Sequence, residues 1–129
     1  MEETKKIAVI GFGNIGTGVV DILYQKGVAG LELSRVVDID LEKKRPINLP
    51  AGYLTTDWRQ VVNDLEIDIV VELIGGIEPA KSIQLAALEN GKDIVTANKK
   101  LLAQEGHSIF QLASTLNRRI GFRASFVGA

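Results

Sequence analysis

Cysteine is absent from the 129 residues, which excludes disulfides, thiolate metal sites and a cysteine nucleophile. Histidine occurs once, as His107, in a stretch read as lying near a helix start, where a surface position is expected rather than a catalytic one. The single tryptophan, Trp58, falls on the apolar face of a helical pattern and is expected to pack in the core. No apolar run approaches the roughly 18 residues that a membrane span requires, and no signal-peptide pattern is present. Charge of neither sign dominates, with 15 basic and 16 acidic residues and a net charge of -1. That balance offers no electrostatic capture of nucleic acid or of an anionic membrane. Internal repeats, low-complexity segments and linkers are missing as well. With 46% hydrophobic residues the chain can bury a real core. The expectation is one soluble, cytoplasmic domain spanning residues 1–129.

Apolar runs and helical patterns alternate along that domain. Ile7-Ala8-Val9-Ile10 reads as a buried strand broken by Gly11. Residues 14–26 place Ile15, Val19, Ile22 and Leu23 at helical spacing, with Gly27 as terminator. Residues 33–38 read as a second strand, followed by a polar loop over 41–52 with room for a short helical turn. Asp57 with Gln60 three residues on marks a helix start, and Trp58, Val61, Val62 and Leu65 share one face. Residues 67–73 form a β-rich run ending at Gly75-Gly76. Pro79 then opens a helix that runs to Asn90 and is closed by Gly91. Residues 93–96 form another strand, Ile109, Leu112, Ala113 and Leu116 give a further helical face, and residues 120–126 a last strand. Such alternation predicts an α/β fold, a Rossmann-type doubly wound parallel sheet in three α/β/α layers. Ligands of such sheets bind outside the carboxyl ends of the strands.

The first of those ends carries Gly11-Phe12-Gly13-Asn14-Ile15-Gly16, a GxGxxG pattern between a strand and a helix. Gly11 allows the tight turn, Gly13 lets the backbone approach a pyrophosphate, and Gly16 lets helix and strand pack closely. The amino end of the following helix offers free N–H groups to the phosphates. The alternative, a plain structural turn, lacks a reason for the βαβ setting. Asp38 lies 22 positions beyond Gly16 at the end of the second strand, where an acidic residue reads the ribose hydroxyls of NAD. Asp40 is the other candidate. Lys43, Lys44 and Arg45 in the following loop would instead pair with a 2′-phosphate and select NADP, unless they are simply solvated. The reading prefers NAD and keeps NADP open.

From Val70 onward the chain departs from a generic dinucleotide-binding sequence. Val71-Glu72-Leu73-Ile74-Gly75-Gly76, Pro79-Ala80 and the run from Ala87 to Lys92 lead into Val95-Thr96-Ala97-Asn98-Lys99-Lys100-Leu101-Leu102-Ala103. This resembles the amino-terminal NAD(P)-binding domain of homoserine dehydrogenases over essentially the whole chain, with the Thr-Ala-Asn-Lys segment as its most specific part. Gly121-Phe122-Arg123-Ala124-Ser125-Phe126 is similar to the strand that follows in that family. The resemblance implies hydride transfer between NAD(P) and L-homoserine/aspartate 4-semialdehyde in threonine and methionine biosynthesis. It also implies that Lys99 takes part in the chemistry beside the nicotinamide. A base is needed for the hydroxyl proton of an alcohol, and a desolvated lysine can supply one. Ile74, Gly75, Thr96 and Ala97 would border the nicotinamide and its ribose, Lys100 would face solvent, and Glu72 and Asp68 flank a buried strand, with Glu72 within reach of the crevice but given no role.

Three departures qualify the resemblance. Arg123 stands where the family has a glutamate that helps to hold a monovalent cation, so no metal site is carried over, and Val127 replaces a glycine. The family's substrate domain, with its acidic residues and second lysine, is absent from these 129 residues. The chain alone is therefore expected to bind cofactor without turning over homoserine, and to associate as a homodimer if at all. A catalytically silent NAD(H) sensor or scaffold is the competing reading. Another Rossmann dehydrogenase, such as an aspartate dehydrogenase, is disfavoured by the Thr96-Ala97-Asn98-Lys99 run.

Overall fold

A strand whose every residue is apolar must have both its faces covered, which puts it at the middle of a parallel sheet. The computed structural model, which describes residues 3–39 and 46–122, places the strand Lys5–Ile10 (β1) there. Ile7, Ala8, Val9 and Ile10 are at most 4% exposed. β1 pairs in parallel with Leu31–Val37 (β2) on one side and with Ile69–Glu72 (β4) on the other. Leu54–Thr55 (β3) extends the sheet beyond β2. Asp93–Thr96 (β5) and Ile120–Phe122 (β6) extend it beyond β4. The order is β3-β2-β1-β4-β5-β6, all parallel, the Rossmann arrangement. The chain winds outward from β1 in one direction and then the other, so the carboxyl ends of β1 and β4 border the switch point.

Alternate residues of β1 serve two cores, as the pleat requires. Ala8 and Ile10 join the cluster under three helices: Trp58–Val62 (α2), Ala80–Glu89 (α3) and Lys99–Thr115 (α4). Ile7 and Val9 join the cluster on the opposite face, under Asn14–Val20 (α1) and its π-helical continuation Asp21–Lys26. Gly27 ends that helix at φ 78, as its position predicted. With fewer helices on this face, an apolar groove of about 430 Å³ stays open beside Ile22, Val28 and Val95.

Several element boundaries differ from the sequence reading. β3 carried no detectable signal, because two residues are too few to show alternation. α2 stops at Val62, capped by Asn63, and Leu65 is 90% exposed rather than on the buried face. Ile15 and Ile22 are half-exposed, since only Val19, Val20 and Leu23 meet the sheet. Ile67 is buried but precedes β4, and Leu73 follows it. Trp58 packs against the core as expected. His107 is exposed but lies in the middle of α4 rather than near a helix start. No helical turn forms within residues 46–53. The part of the last strand beyond Phe122 lies outside the described residues, as do Asp40, Lys43, Lys44, Arg45, Arg123 and Val127.

Candidate functional site

The turn after β1 is built by its glycines. Gly11 sits at φ 109, and a Cβ there would come within 2.9 Å of Ile74 Cγ2 and the Leu73 carbonyl carbon. Its N–H donates to the Val37 carbonyl at 2.8 Å, tying the turn to the end of β2. A Cβ at Gly16 would overlap the Gly11 carbonyl oxygen, so helix and turn can approach this closely only without a side chain. Before Gly13, by contrast, no heavy atom lies within 4 Å of where a Cβ would be. Gly13 N-caps α1 without a side-chain hydrogen bond, and the first turn holds no acidic residue. The first-turn N–H groups, those of Asn14, Ile15 and Gly16, have no acceptor within the helix, the arrangement that suits an anion. Phe12 turns its ring into the core at 1% exposure, leaving only its backbone at the turn.

Two hollows flank this turn. The larger, about 470 Å³, lies over β1 and β2 and is bordered by Gly11, Gly13, Asp38, Ile39, Trp58 and Glu78, among others. Asp38 is half-buried at the end of β2, and its carboxylate accepts the Ile39 N–H at 2.9 Å. Across the hollow, Glu78 accepts from the Ser82 amide and hydroxyl, both at 2.9 Å. Those bonds hold its carboxyl below the usual carboxylate range, the amide first and the hydroxyl second. The Arg59 guanidinium lies 4.6 Å above the Trp58 ring at the rim.

The smaller hollow, about 160 Å³, lies at the ends of β4 and β5, between Ile15, Ile74, Gly75, Ala97 and Asn98. Its floor is a network that the sequence reading did not anticipate. Glu72, 0% exposed, accepts from Thr96 Oγ1 and Gln84 Nε2 on one carboxylate oxygen, each at 2.8 Å. The other oxygen accepts the Ile74 and Gly75 N–H groups at 3.0 and 3.2 Å. Thr96 in turn accepts the Asn98 N–H at 3.0 Å, so its hydroxyl is turned into the network. Asn98 N-caps α4 by accepting from the Leu101 N–H, and its amide donates to the Gly76 carbonyl at 2.7 Å. Lys99 is the first residue of α4, next to this hollow, and both Lys99 and Lys100 are exposed. The glycine turn, Asp38, Ile74, Gly75, Thr96, Ala97 and Lys99 thus converge on one edge of the sheet. Gln84, Asn98 and Glu78 were missed, and Glu72 was noted only as flanking a buried strand; Asn98 had a local signal as a helix cap within the distinctive segment, and Glu72 as a charge in an apolar run.

A six-stranded parallel sheet in Rossmann order, with a glycine turn at its switch point, defines a dinucleotide-binding domain. The family model described as the NAD-binding domain of homoserine dehydrogenase matches residues 11–123, and the chain belongs to that family. A homoserine dehydrogenase of Synechocystis is 42% identical over 116 residues, 86% of this chain and 27% of that protein. The one from Bacillus subtilis is 37% identical over 131 residues, 95% of this chain and 30% of that protein. Among solved structures, the homoserine dehydrogenase of Thiobacillus denitrificans superposes with a TM-score of 0.83 at 38% identity, covering 95% of this chain and 30% of that one. That of S. aureus at pH 7.5 gives 0.85 at 34% identity, covering 99% and 34%. The chain thus spans about 30% of the length of these relatives. Among the described residues, no helix is long and apolar enough to cross a membrane.

Proposed function

We propose that this chain holds NAD(P) along the carboxyl edge of the sheet, as the cofactor domain of a homoserine dehydrogenase. The observation that carries the reading is the uncapped amino end of α1 behind Gly13, open to an anion and flanked by one hollow on each side. In this reading the backbone of residues 11–16 binds the pyrophosphate, and the larger hollow takes the adenosine with Asp38 accepting from its ribose hydroxyls. The smaller hollow takes the nicotinamide end, bordered by Ile74, Gly75, Thr96 and Ala97. Two carboxylates on the adenosine side, Asp38 and Glu78, oppose a further phosphate there and favour NAD over NADP.

The bound cofactor would supply hydride exchange with homoserine or aspartate 4-semialdehyde, a step in threonine and methionine biosynthesis. Lys99 Nζ would hold the hydroxyl proton of the alcohol. Since Lys99 is exposed in this chain, its tuning depends on further structure that closes over it. The 129 residues would therefore bind cofactor without turning over homoserine alone. The same exposure supports the second reading, NAD(H) sensing without turnover. A cytoplasmic setting and homodimeric association belong with the enzyme reading, and sedimentation checks the association. Calorimetric titration with NADH and then NADPH at one salt concentration tests the binding. Tighter NADH is expected; binding of neither would remove the proposal. Homoserine-dependent reduction of NAD, assayed with the wider reading frame, separates the enzyme from the sensor.

A further inference from the structure

Glu72 lies between the two turns of the smaller hollow and bonds to both. One of its carboxylate oxygens receives the backbone N–H groups of the turn after β4, and the other receives the Thr96 hydroxyl at the end of β5. Thr96 passes the constraint to the Asn98 N–H, and Asn98 both caps α4 and bonds back to Gly76. Every hydrogen-bond partner of the carboxylate among the described residues is a donor, so an acceptor with two oxygens at this depth satisfies all of them at once. A carboxylate wholly out of water is costly unless so satisfied, and here the donors come from three separate stretches of chain. A strand end needing only burial would be served by a valine, as at Val71 on the same strand. Building the position with a charge fixes backbone turns that have no regular partner.

We propose that Glu72 is a positioning residue for the nicotinamide end of the site, locking the turn before α3 to the turn before α4. It thereby sets the place of Ala97 and Lys99 relative to the cofactor. The inference rests on the cofactor reading above and adds a residue that the family resemblance did not assign. Gln84 shows the direction of the constraint. Its Nε2 donates to Glu72 at 2.8 Å while its buried Oε1 has no partner among the described residues. A side chain left with an orphaned acceptor is held there by its donor bond to the carboxylate.

The test compares NADH with ADP-ribose, which lacks the nicotinamide, by titration of the 129-residue chain and of its Glu72→Gln variant. A glutamine can keep an oxygen towards the Ile74 and Gly75 N–H groups while its amide meets the orphaned Gln84 Oε1 after that side chain flips. The damage then falls on the link to Thr96 and Asn98. NADH binding should weaken about tenfold, the loss of one charged hydrogen bond, with ADP-ribose within about twofold. A general loosening of the fold would weaken both ligands alike, and that outcome, or no loss at all, overturns the proposal. If Glu72→Gln does not fold, Thr96→Val decides by the same ratio, with Thr96→Ser expected to restore it. A wild-type chain that binds neither ligand removes the cofactor reading itself. Intact wild-type binding with an unchanged ratio in the variants removes only the role of Glu72.

Discussion

Glu72 at the carboxyl edge of the sheet and Lys92 at the amino edge are both buried, 0% and 1% exposed, and both are charged residue types. Their surroundings differ in what they leave open. Lys92 Nζ donates to the carbonyls of Asp64 at 2.6 Å and Ile67 at 2.9 Å, closing the connection between α2 and β4 onto the start of β5. No hollow opens beside it among those described. Glu72 gathers backbone N–H groups and side chains around two turns that border the smaller hollow. A buried charge is thus no mark of a site by itself. What separates the two is position: parallel strands point their carboxyl ends at the switch point, where turns must stay apart to admit a ligand. At the amino end the same chemistry only ties a loop down.

The largest expected effect tests the open edge. Gly16→Val puts a branched side chain onto the Gly11 carbonyl oxygen and forces the turn away from α1. NADH affinity should fall by at least about a hundredfold, roughly 2.7 kcal/mol, in a titration of whatever fraction folds. Wild-type affinity in that variant would break the claim that the turn is the anion site. The counterpart at the closed edge is Lys92→Met, which keeps the stem and leaves two buried carbonyls without their donor. A loss of about 2–3 kcal/mol in urea unfolding is expected. NADH affinity should stay within about twofold, since the lysine lies at the far end of the strands. Weakened binding without lost stability would reverse the contrast between the edges. Smaller still is Asp38→Ala, where NADH should bind about tenfold more weakly and NADPH no worse than before, as expected when one charged acceptor for the ribose is removed.

The same contrast explains what was legible beforehand. The four central strands, their parallel order, the glycine turn and the family segment all follow from local patterns: apolar runs, helical spacing, glycines at fixed offsets. Asp93–Thr96 matches the sequence reading to the residue; Gly91 precedes it, and the helix cap at Asn98 follows it. Leu65 shows where the periodic argument fails. It continues the spacing of Val61 and Val62, but Asn63 caps the helix and the Asp64 carboxylate takes the Glu66 N–H, so the chain turns before the pattern repeats. Glu72 and Gln84 show the larger gap. Each is a polar residue in an apolar run or face, and the side-chain partners that make its burial tolerable lie 12 to 24 positions away. Local pattern can mark such a residue as an exception, but only the fold shows which donors meet it. The hollow volumes and the inward turn of Thr96 have the same origin.

The smallest effect concerns the buried lysine alone. Burial pushes the Lys92 ammonium below its ordinary value of 10.5, with the Asp64 and Asp68 carboxylates opposing part of that push. In the interval between the lowered value and 10.5, the folded chain has released a proton that the unfolded chain still holds. Stability attributable to this residue therefore rises with pH across that interval and is lost as pH falls through the folded value. Other lysines titrate nearby: Lys6 and Lys81, drawn upward by Glu66 and Glu105, contribute with the opposite sign. The wild-type chain alone cannot isolate Lys92, but the difference in urea midpoint between wild type and Lys92→Met cancels the groups they share. That difference should widen as pH is raised from neutrality towards 10.5. A constant difference would mean that the ammonium pays no penalty for its burial, and that the amino edge is as accommodating to charge as the donor-lined floor beneath the cofactor crevice.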